Sequence, residues 1–430
     1  MINRRTFLHT AAAAVASTAA SVPASLAQAS AAVPEALSAD PDFAFTAKIT
    51  LGNSYHHASD PGKVLWIATN IPSGDFEAGY RVYYQAGVDA RTMADSAASK
   101  HHQVSAREAY LWAASYFSAA LRFLDCTANP ELMLGCWQAY AGCWAKAAAH
   151  FDPPLEKIEI PYEGTHLTGW FLRADTSKRR RPLLILNNGA DGLEVSSYVK
   201  GAAGALARGY NCMIFNGPGQ GDSLWTRKLC FRPDWEKVLT PVVETMIHHP
   251  EVDANRIAVI GISFGGFWVA RSLAFEHRIA AAVVDPGIWD CAEPWMTHLP
   301  QVILDVLKAG KREQFDQMMH MGTDANARAR GTLRFRMRPF GTESFFEAFH
   351  AIQSYCLADV VGSIRTPMLV TDSEGEQFTP GQARKLYDAL SCSKTFAAFT
   401  RQQGADQHCE AAAPGIRDFT ILNWLDEILA

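Results

Sequence analysis

Arg256-Ile257-Ala258-Val259-Ile260-Gly261-Ile262-Ser263-Phe264-Gly265-Gly266 joins a short apolar run to a Gly-x-Ser-x-Gly pentapeptide, and a helical pattern follows. A strand that turns sharply into a helix presents the residue at the turn, and the flanking glycines leave no Cβ to crowd it. Ser263 is therefore a candidate nucleophile. In a chain of 430 residues the pentapeptide also arises by chance, so its surroundings have to carry the reading.

Along the rest of the chain, apolar runs suited to buried strands recur at Pro182–Leu186, Asn211–Phe215, Arg256–Ile260, Ala280–Val284 and Met368–Val370. Helical patterns at Ala202–Arg208 and Pro233–His249 separate them. Lys157–Ile160 and Leu167–Leu172 alternate as a pair of strands around a turn at Glu163-Gly164. Strands alternating with helices predict an α/β fold: a mostly parallel, doubly wound sheet covered on both faces. Residues 154–430 form this unit. A helical excursion at about 289–354 is too long for a simple connection and is placed as a lid over the carboxyl edge of the sheet, where ligands bind in such folds.

Residues 42–153 read as an all-helical domain. Ser105-x-x-Glu108 has the spacing of a capping box. Tyr110, Ala113, Ala114, Phe117, Ala120, Leu121 and Leu124 then recur at helical spacing. A second helix covers roughly Pro130–His150, with Leu134, Trp137, Ala141, Trp144 and Ala148 on one side.

A serine hydroxyl needs a base to take its proton. His408 lies in the polar stretch Gln403–Glu410 near the carboxyl end, where the chain order Ser, acid, His requires it. His56-His57, His101-His102 and His248-His249 make no zinc pattern with their neighbours. The acid belongs after the strand Met368–Val370, where Asp372, Glu374 and Glu376 crowd together. An oxyanion needs two backbone N–H donors. One is Phe264, at the start of a helix whose positive end also favours an anion. The other comes from Asn187–Gly192, with Ala190 favoured and Gly189 and Asp191 close behind. Asn216-Gly217-Pro218-Gly219-Gln220-Gly221 looks superficially like a phosphate loop. Its proline, and the lack of a following Lys-Ser/Thr, read instead as a tight loop at the rim of the site.

Nearly half of the chain is apolar and the net charge is −5, with no basic stripe, so nucleic acid is not an expected partner. Asn3-Arg4-Arg5-Thr6-Phe7-Leu8, an Ala-rich stretch and the small-x-small triplet Ala27-Gln28-Ala29 read residues 1–29 as a twin-arginine export signal, implying a periplasmic or secreted protein. Residues 30–41 read as a linker. The apolar stretch of the signal is too short and interrupted for a stable membrane span. The nine cysteines are scattered, with no C-x-x-C, and read as buried hydrophobes; a bridge within Cys126, Cys136 and Cys143 stays open.

Ser105–Tyr110, Ile160-Pro161-Tyr162-Glu163-Gly164, Gly217–Gly221, Gly261–Gly266 and Gly404-Ala405-x-x-His408-Cys409 together resemble one family. It is the α/β-hydrolase branch with an N-terminal helical lid. That branch includes 2,6-dihydroxypseudooxynicotine hydrolase, the fungal pigment hydrolases that shorten polyketides, and esterases of the fermentation–respiration switch type. The resemblance spans about 55–429. It implies Ser263, His408 and an acid on the preceding loop as a triad. The spacing common in hydrolases, six residues past the last valine of a Leu-Val pair, selects Glu376 over Asp372 and Glu374. The loop departs from relatives that often have Gly and then Asp, and an export signal departs from the many intracellular ones.

The expected activity is cleavage of a carboxylic ester through an acyl-enzyme, without metal or organic cofactor. Hydrolysis of a C–C bond beside a ketone is the alternative, with Asp290 or Glu293 as an assisting acid. A peptidase, or a catalytically silent binding protein on the same fold, stays open. The expected partner is a small substrate, bulky and partly aromatic, in a pocket lined by Trp268, Trp289 or Trp295; a homodimer also stays open.

Overall fold

The computed structural model describes residues 37–323 and 326–430. The signal at 1–29 and the linker as far as residue 36 lie outside them. Five helices come first: α1 (Pro41–Gly52), α2 (Pro61–Thr69), α3 (Phe76–Ser99), α4 (Gln103–Leu124) and α5 (Met133–Ala149). Three start on an aspartate whose carboxylate takes backbone N–H groups of the first turn: Asp40, Asp60 and Asp75. In α1 and α2 a proline follows the cap directly, where its missing N–H costs nothing. The helical segment therefore starts at the very end of the stretch read as linker.

Two local expectations need correcting. Ser105 is not a cap. α4 begins at Gln103, because the α3–α4 turn closes through the His102 N–H on the Ala97 carbonyl and sets the start two residues earlier. In α5 the buried face is Met133, Cys136, Trp137, Tyr140, Cys143, Trp144, Ala147 and Ala148, whereas Leu134 is exposed. The thiols and Tyr140 pack as core residues, which rotates the stripe away from the one read from leucine and alanine.

The eight strands are β1 (Glu156–Tyr162), β2 (Thr165–Leu172), β3 (Arg181–Asn187), β4 (Asn211–Phe215), β5 (Val252–Ile262), β6 (Ala281–Asp285), β7 (Met368–Ser373) and β8 (Lys394–Phe399). They form one sheet in the order β1-β2-β4-β3-β5-β6-β7-β8. β1 and β2 pair antiparallel, as do β2 and β4; every other neighbour is parallel. The α/β fold with a mostly parallel sheet is thus borne out.

Alternate residues of the central strands feed different cores, as the two-residue period of a strand requires. Leu184, Leu186, Ala258 and Ile260 face a layer shared with helix Pro414–Ile428 and with α3, α4 and α5. Leu183, Ile185, Ile257 and Val259 face helices Glu236–Ile247, Gly265–Ser272 and Gln382–Ala389. The N-terminal helices therefore share one continuous core with the sheet.

Between β6 and β7 the chain forms helices Glu293–Met296, Gln301–Lys308, Arg312–Thr323, Ala327–Met337 and Phe345–Ala351, with a small core around Phe315 and Phe349. Arg328 pairs with Asp40 and Asp42, and Arg338 with Asp125, so this excursion is tied by charge to the N-terminal helices. Among the described residues, no helix is long and apolar enough to cross a membrane.

Candidate active site

β5 ends at Ile262 and the next helix starts at Gly265, so Ser263 stands at the turn between them. Its φ is +57°, a left-handed conformation that a residue with a Cβ adopts under strain. Two hydrogen bonds hold the turn: Ser263 N–H to the Asp285 carbonyl (2.6 Å) and Gly266 N–H to the Ser263 carbonyl (2.8 Å). A Cβ on Gly265 would run into the Asn187 carbonyl, and one on Gly261 into the carbonyl of Gly265. The two outer glycines are therefore required by close backbone approach.

Ser263 Oγ lies 2.7 Å from His408 Nε2. On the other side of the ring, His408 Nδ1 lies 2.7 Å from Glu376 Oε2. Neutral His408 thus donates from Nδ1 and accepts the serine proton at Nε2. Glu376 Oε1 in turn accepts the backbone N–H groups of Phe378 (2.8 Å) and Thr379 (3.1 Å). Phe378 packs its ring edge-on against the imidazole, 4.9 Å between centroids. Asp372 stays in β7 opposite Ala398, and Glu374 is exposed and accepts the Arg401 N–H. Of the three loop acids, Glu376 alone is hydrogen-bonded to His408.

Burial disfavours both charged forms, yet each partner holds the other. Burial pushes the Glu376 carboxyl up; the facing imidazole and the two N–H groups outweigh it, and its pKa lies below the ordinary carboxylate value. Burial pulls His408 down, but the Cys409 sulfur and Glu376 beside it hold its pKa well above the ordinary imidazole value. Asp372 moves the opposite way from Glu376, raised by burial and by the charge of Glu376.

The loop after β3 passes directly over the serine: a Cβ on Gly189 would sit against Ser263 Cβ. Gly189 N–H is taken by Asn188 Oδ1 (2.9 Å). Among the described residues, the backbone N–H groups of Ala190 and Phe264 donate to no protein acceptor, and both residues line the cavity above Ser263. The loop is clamped from below by Gln220, whose amide donates to the carbonyls of Asn188 (2.8 Å) and Gly189 (2.6 Å). Gln220 Oε1 also accepts the Gly217 N–H (2.9 Å), so the glycine-rich loop after β4 serves as a brace.

The cavity over Ser263 has a volume of ≈ 210 Å³ and lies between α1, α4, the sheet edge and the excursion. Phe45, Phe231, Phe264, Trp295, Phe335 and Phe340 give it an aromatic wall. Of the three tryptophans expected there, Trp295 alone lines it. Trp268 is fully buried and stacked on Trp235 (3.9 Å between centroids), a core residue set by the helix after Ser263. Trp289 packs on the core that also holds Trp268 and is not part of the cavity wall. Asp290 and Glu293 do not line the cavity either: Asp290 accepts the Ala292 N–H, and Glu293 is bound to Lys385 and Gln382.

Three cations of the cavity wall, Arg122, Lys200 and Arg336, carried no readable signal in the sequence, because isolated basic residues on helices look like solvated surface. The nine cysteines are free thiols.

The family profile described as esterase FrsA-like matches residues 74–328, more than half of the chain, and the protein belongs to that family. Hydrolase LUC6 of a Fusarium species is 28% identical over 394 residues, covering 88% of this chain and 94% of that protein. The 20-hydroxy-prefusarin hydrolase FUS2 of Gibberella moniliformis is 27% identical over 397 residues, again covering 88% and 94%. Among solved structures, that of 2,6-dihydroxy-pseudo-oxynicotine hydrolase superposes with a TM-score of 0.70 at 17% identity, over 88% of this chain and 95% of that one. The α/β-hydrolase fold and the suspected kinship are both met, and the chain is a hydrolase.

Proposed function

We propose that the protein is a serine hydrolase that cleaves a carboxylic ester through an acyl-enzyme. The observation that carries this reading is the unbroken chain Ser263–His408–Glu376, 2.7 Å at each link, opening on a cavity also lined by Phe264 and Ala190, whose backbone N–H groups donate to no protein acceptor among the described residues. Ser263 Oγ attacks the carbonyl carbon as its proton passes to His408 Nε2. Glu376 keeps Nδ1 protonated and stabilises the imidazolium. The oxyanion takes the N–H groups of Phe264 and Ala190. His408 then returns its proton to the leaving alcohol, and water admitted against the same base releases the acid. The aromatic wall suits a bulky, partly aromatic substrate.

Cleavage of a C–C bond beside a ketone uses the same first step but expels a carbanion. Among the described residues, the acids placed for assisting it, Asp290 and Glu293, lie off the cavity, and the one carboxylate in its wall, Asp191, is paired with Arg122. This favours the ester. A panel that sets aryl esters against β-diketones, run on the wild type and Ser263→Ala, tests the reading: esters are turned over by the wild type alone, and preferential cleavage of diketones would reverse the order of the two. We further propose export by way of Arg4-Arg5, for which the sequence is the support.

A further inference from the structure

We infer that the substrate is an anion, a carbonyl compound carrying a carboxylate, and that Arg336, assisted by Lys200, recognises that carboxylate. The inference rests on the hydrolysis proposed at Ser263.

Several other arginines withdrawn from solvent are paired with carboxylates. Arg122 pairs with Asp191, Arg232 with Asp234, Arg328 with Asp40, Arg338 with Asp125 and Arg417 with Asp285. Arg336 departs from these; among the described residues Arg91 is also unpaired and lies over Phe117, but it is outside the cavity, whereas Arg336 is in its wall. It is half-buried in the cavity wall, and among the described residues its guanidinium has no hydrogen bond and no carboxylate within 4 Å. Its contact is the ring of Trp295, 5.0 Å from the guanidinium carbon to the centroid. An aromatic face holds a cation in place, but it leaves the guanidinium's N–H donors unsatisfied. Burial also pulls the Arg336 pKa below the usual arginine value, as expected of a desolvated charge without a counter-ion.

The rest of the wall points the same way. Lys200 lines the cavity, and its ammonium makes no hydrogen bond or ion pair among the described residues. Its charge lies near enough to Asp285 to help keep that carboxyl ionised. The wall's one acid, Asp191, is already committed to Arg122. The cavity thus holds two cations in excess of its acids, in a protein whose net charge is −5. A planar, forked guanidinium fixed on a tryptophan matches a carboxylate in two parallel hydrogen bonds. Lys200, in the helical segment Tyr198–Ala202 after β3, and Arg336, on the excursion, both line the cavity, so an anion bound by both would bridge the sheet layer and the lid.

The test is a ratio of kcat/KM values. One pair of esters carries the charge on the acyl side, 4-nitrophenyl hydrogen adipate against 4-nitrophenyl heptanoate. The other carries it on the alcohol side, 4-acetoxybenzoate against 4-methylphenyl acetate. The wild type is expected to prefer the anionic ester about tenfold or more in at least one pair. Arg336→Gln is expected to bring that ratio to about one, mainly through KM, and Arg336→Lys to restore part of it. A wild-type ratio at or below one in both pairs overturns the inference, as does a ratio that Arg336→Gln leaves in place. The same ligands titrated calorimetrically into Ser263→Ala read anion preference without turnover. Preference there, with no ester cleaved by the wild type, would sink the ester reading and keep the anion preference; equal binding of charged and neutral esters would sink the anion preference.

Discussion

Ser263 is held in a backbone conformation that costs of order 1–3 kcal/mol, and the neighbouring contacts show what holds it. Its N–H is fixed to Asp285, whose carboxylate is itself bound by Arg417 (2.8 Å) and Thr371 (2.8 Å) in the core. His408 receives matching support from Glu376, and this coupling sets two expectations. Glu376→Gln should lower kcat by about 10³–10⁴-fold, because the imidazole loses its tautomer and its counter-charge. Asp372→Asn and Glu374→Gln should change kcat several-fold at most; steady-state kinetics on the three variants compares them directly.

The second expectation is a pH dependence. Attack requires neutral His408, and its pKa is held high, so the acid limb of kcat/KM should lie above the ordinary imidazole value of about 6.5. Removing the Glu376 charge should move that limb to lower pH. Ser263 and His408 were legible in the sequence because a strand–turn–helix and a polar loop in the right chain order surround them. The acid was less so. Three carboxylates within one short loop differ in whether the chain leaves the strand, turns outward or turns back toward the imidazole, and residue spacing prefers one of these without excluding the others.

At the scale of elements, the loop after β3 shows how a hydrogen-bond donor is aimed without any side chain of its own. Gln220 ties Asn188 and Gly189 to the loop after β4, and Gln220 is itself buried. Gln220→Ala should therefore lower kcat more than it raises KM, since a loosened oxyanion donor acts in the transition state. It should also cost about 1–3 kcal/mol of stability, because two buried carbonyls each lose one of their donors and the Gly217 N–H loses its acceptor. Denaturant unfolding measured alongside the kinetics separates the two effects. The central strands could be read from their continuous apolar runs. The weaker edge strand β8, with its mixed burial pattern, carries no such run and gives no strand signal. The start of α4 and the buried face of α5 depart from the sequence pattern for a related reason. Caps and stripes are local signals, and here the packing of one helix on another overrode them.

For the whole molecule, the excursion that supplies Trp295, Arg336 and Phe340 to the cavity wall is tied to the N-terminal helices by ion pairs between segments far apart in the chain, Arg328 with Asp40 and Arg338 with Asp125. No sequence pattern announces such pairings, so the alternation of strands and helices gave away the sheet but not how the excursion meets α1 and α4. Asp125 is 5% exposed. Arg338→Met should thus leave a buried carboxylate without its partner, costing about 1–3 kcal/mol, and should raise KM by loosening the roof of the cavity. Thermal unfolding together with substrate titration checks both. At the amino end, replacing Arg4 and Arg5 by lysine should leave the activity in the cytoplasmic fraction if the twin-arginine reading is right; unchanged export would count against it.

The proposed chemistry rests on one atom, the Oγ of Ser263. Folded protein treated with a fluorophosphonate and digested for mass spectrometry tests it most directly. A single phosphonylated residue, Ser263, is expected, with labelling suppressed in His408→Ala and slowed in Glu376→Gln. An adduct on a different residue, or folded protein that takes no label, would contradict it.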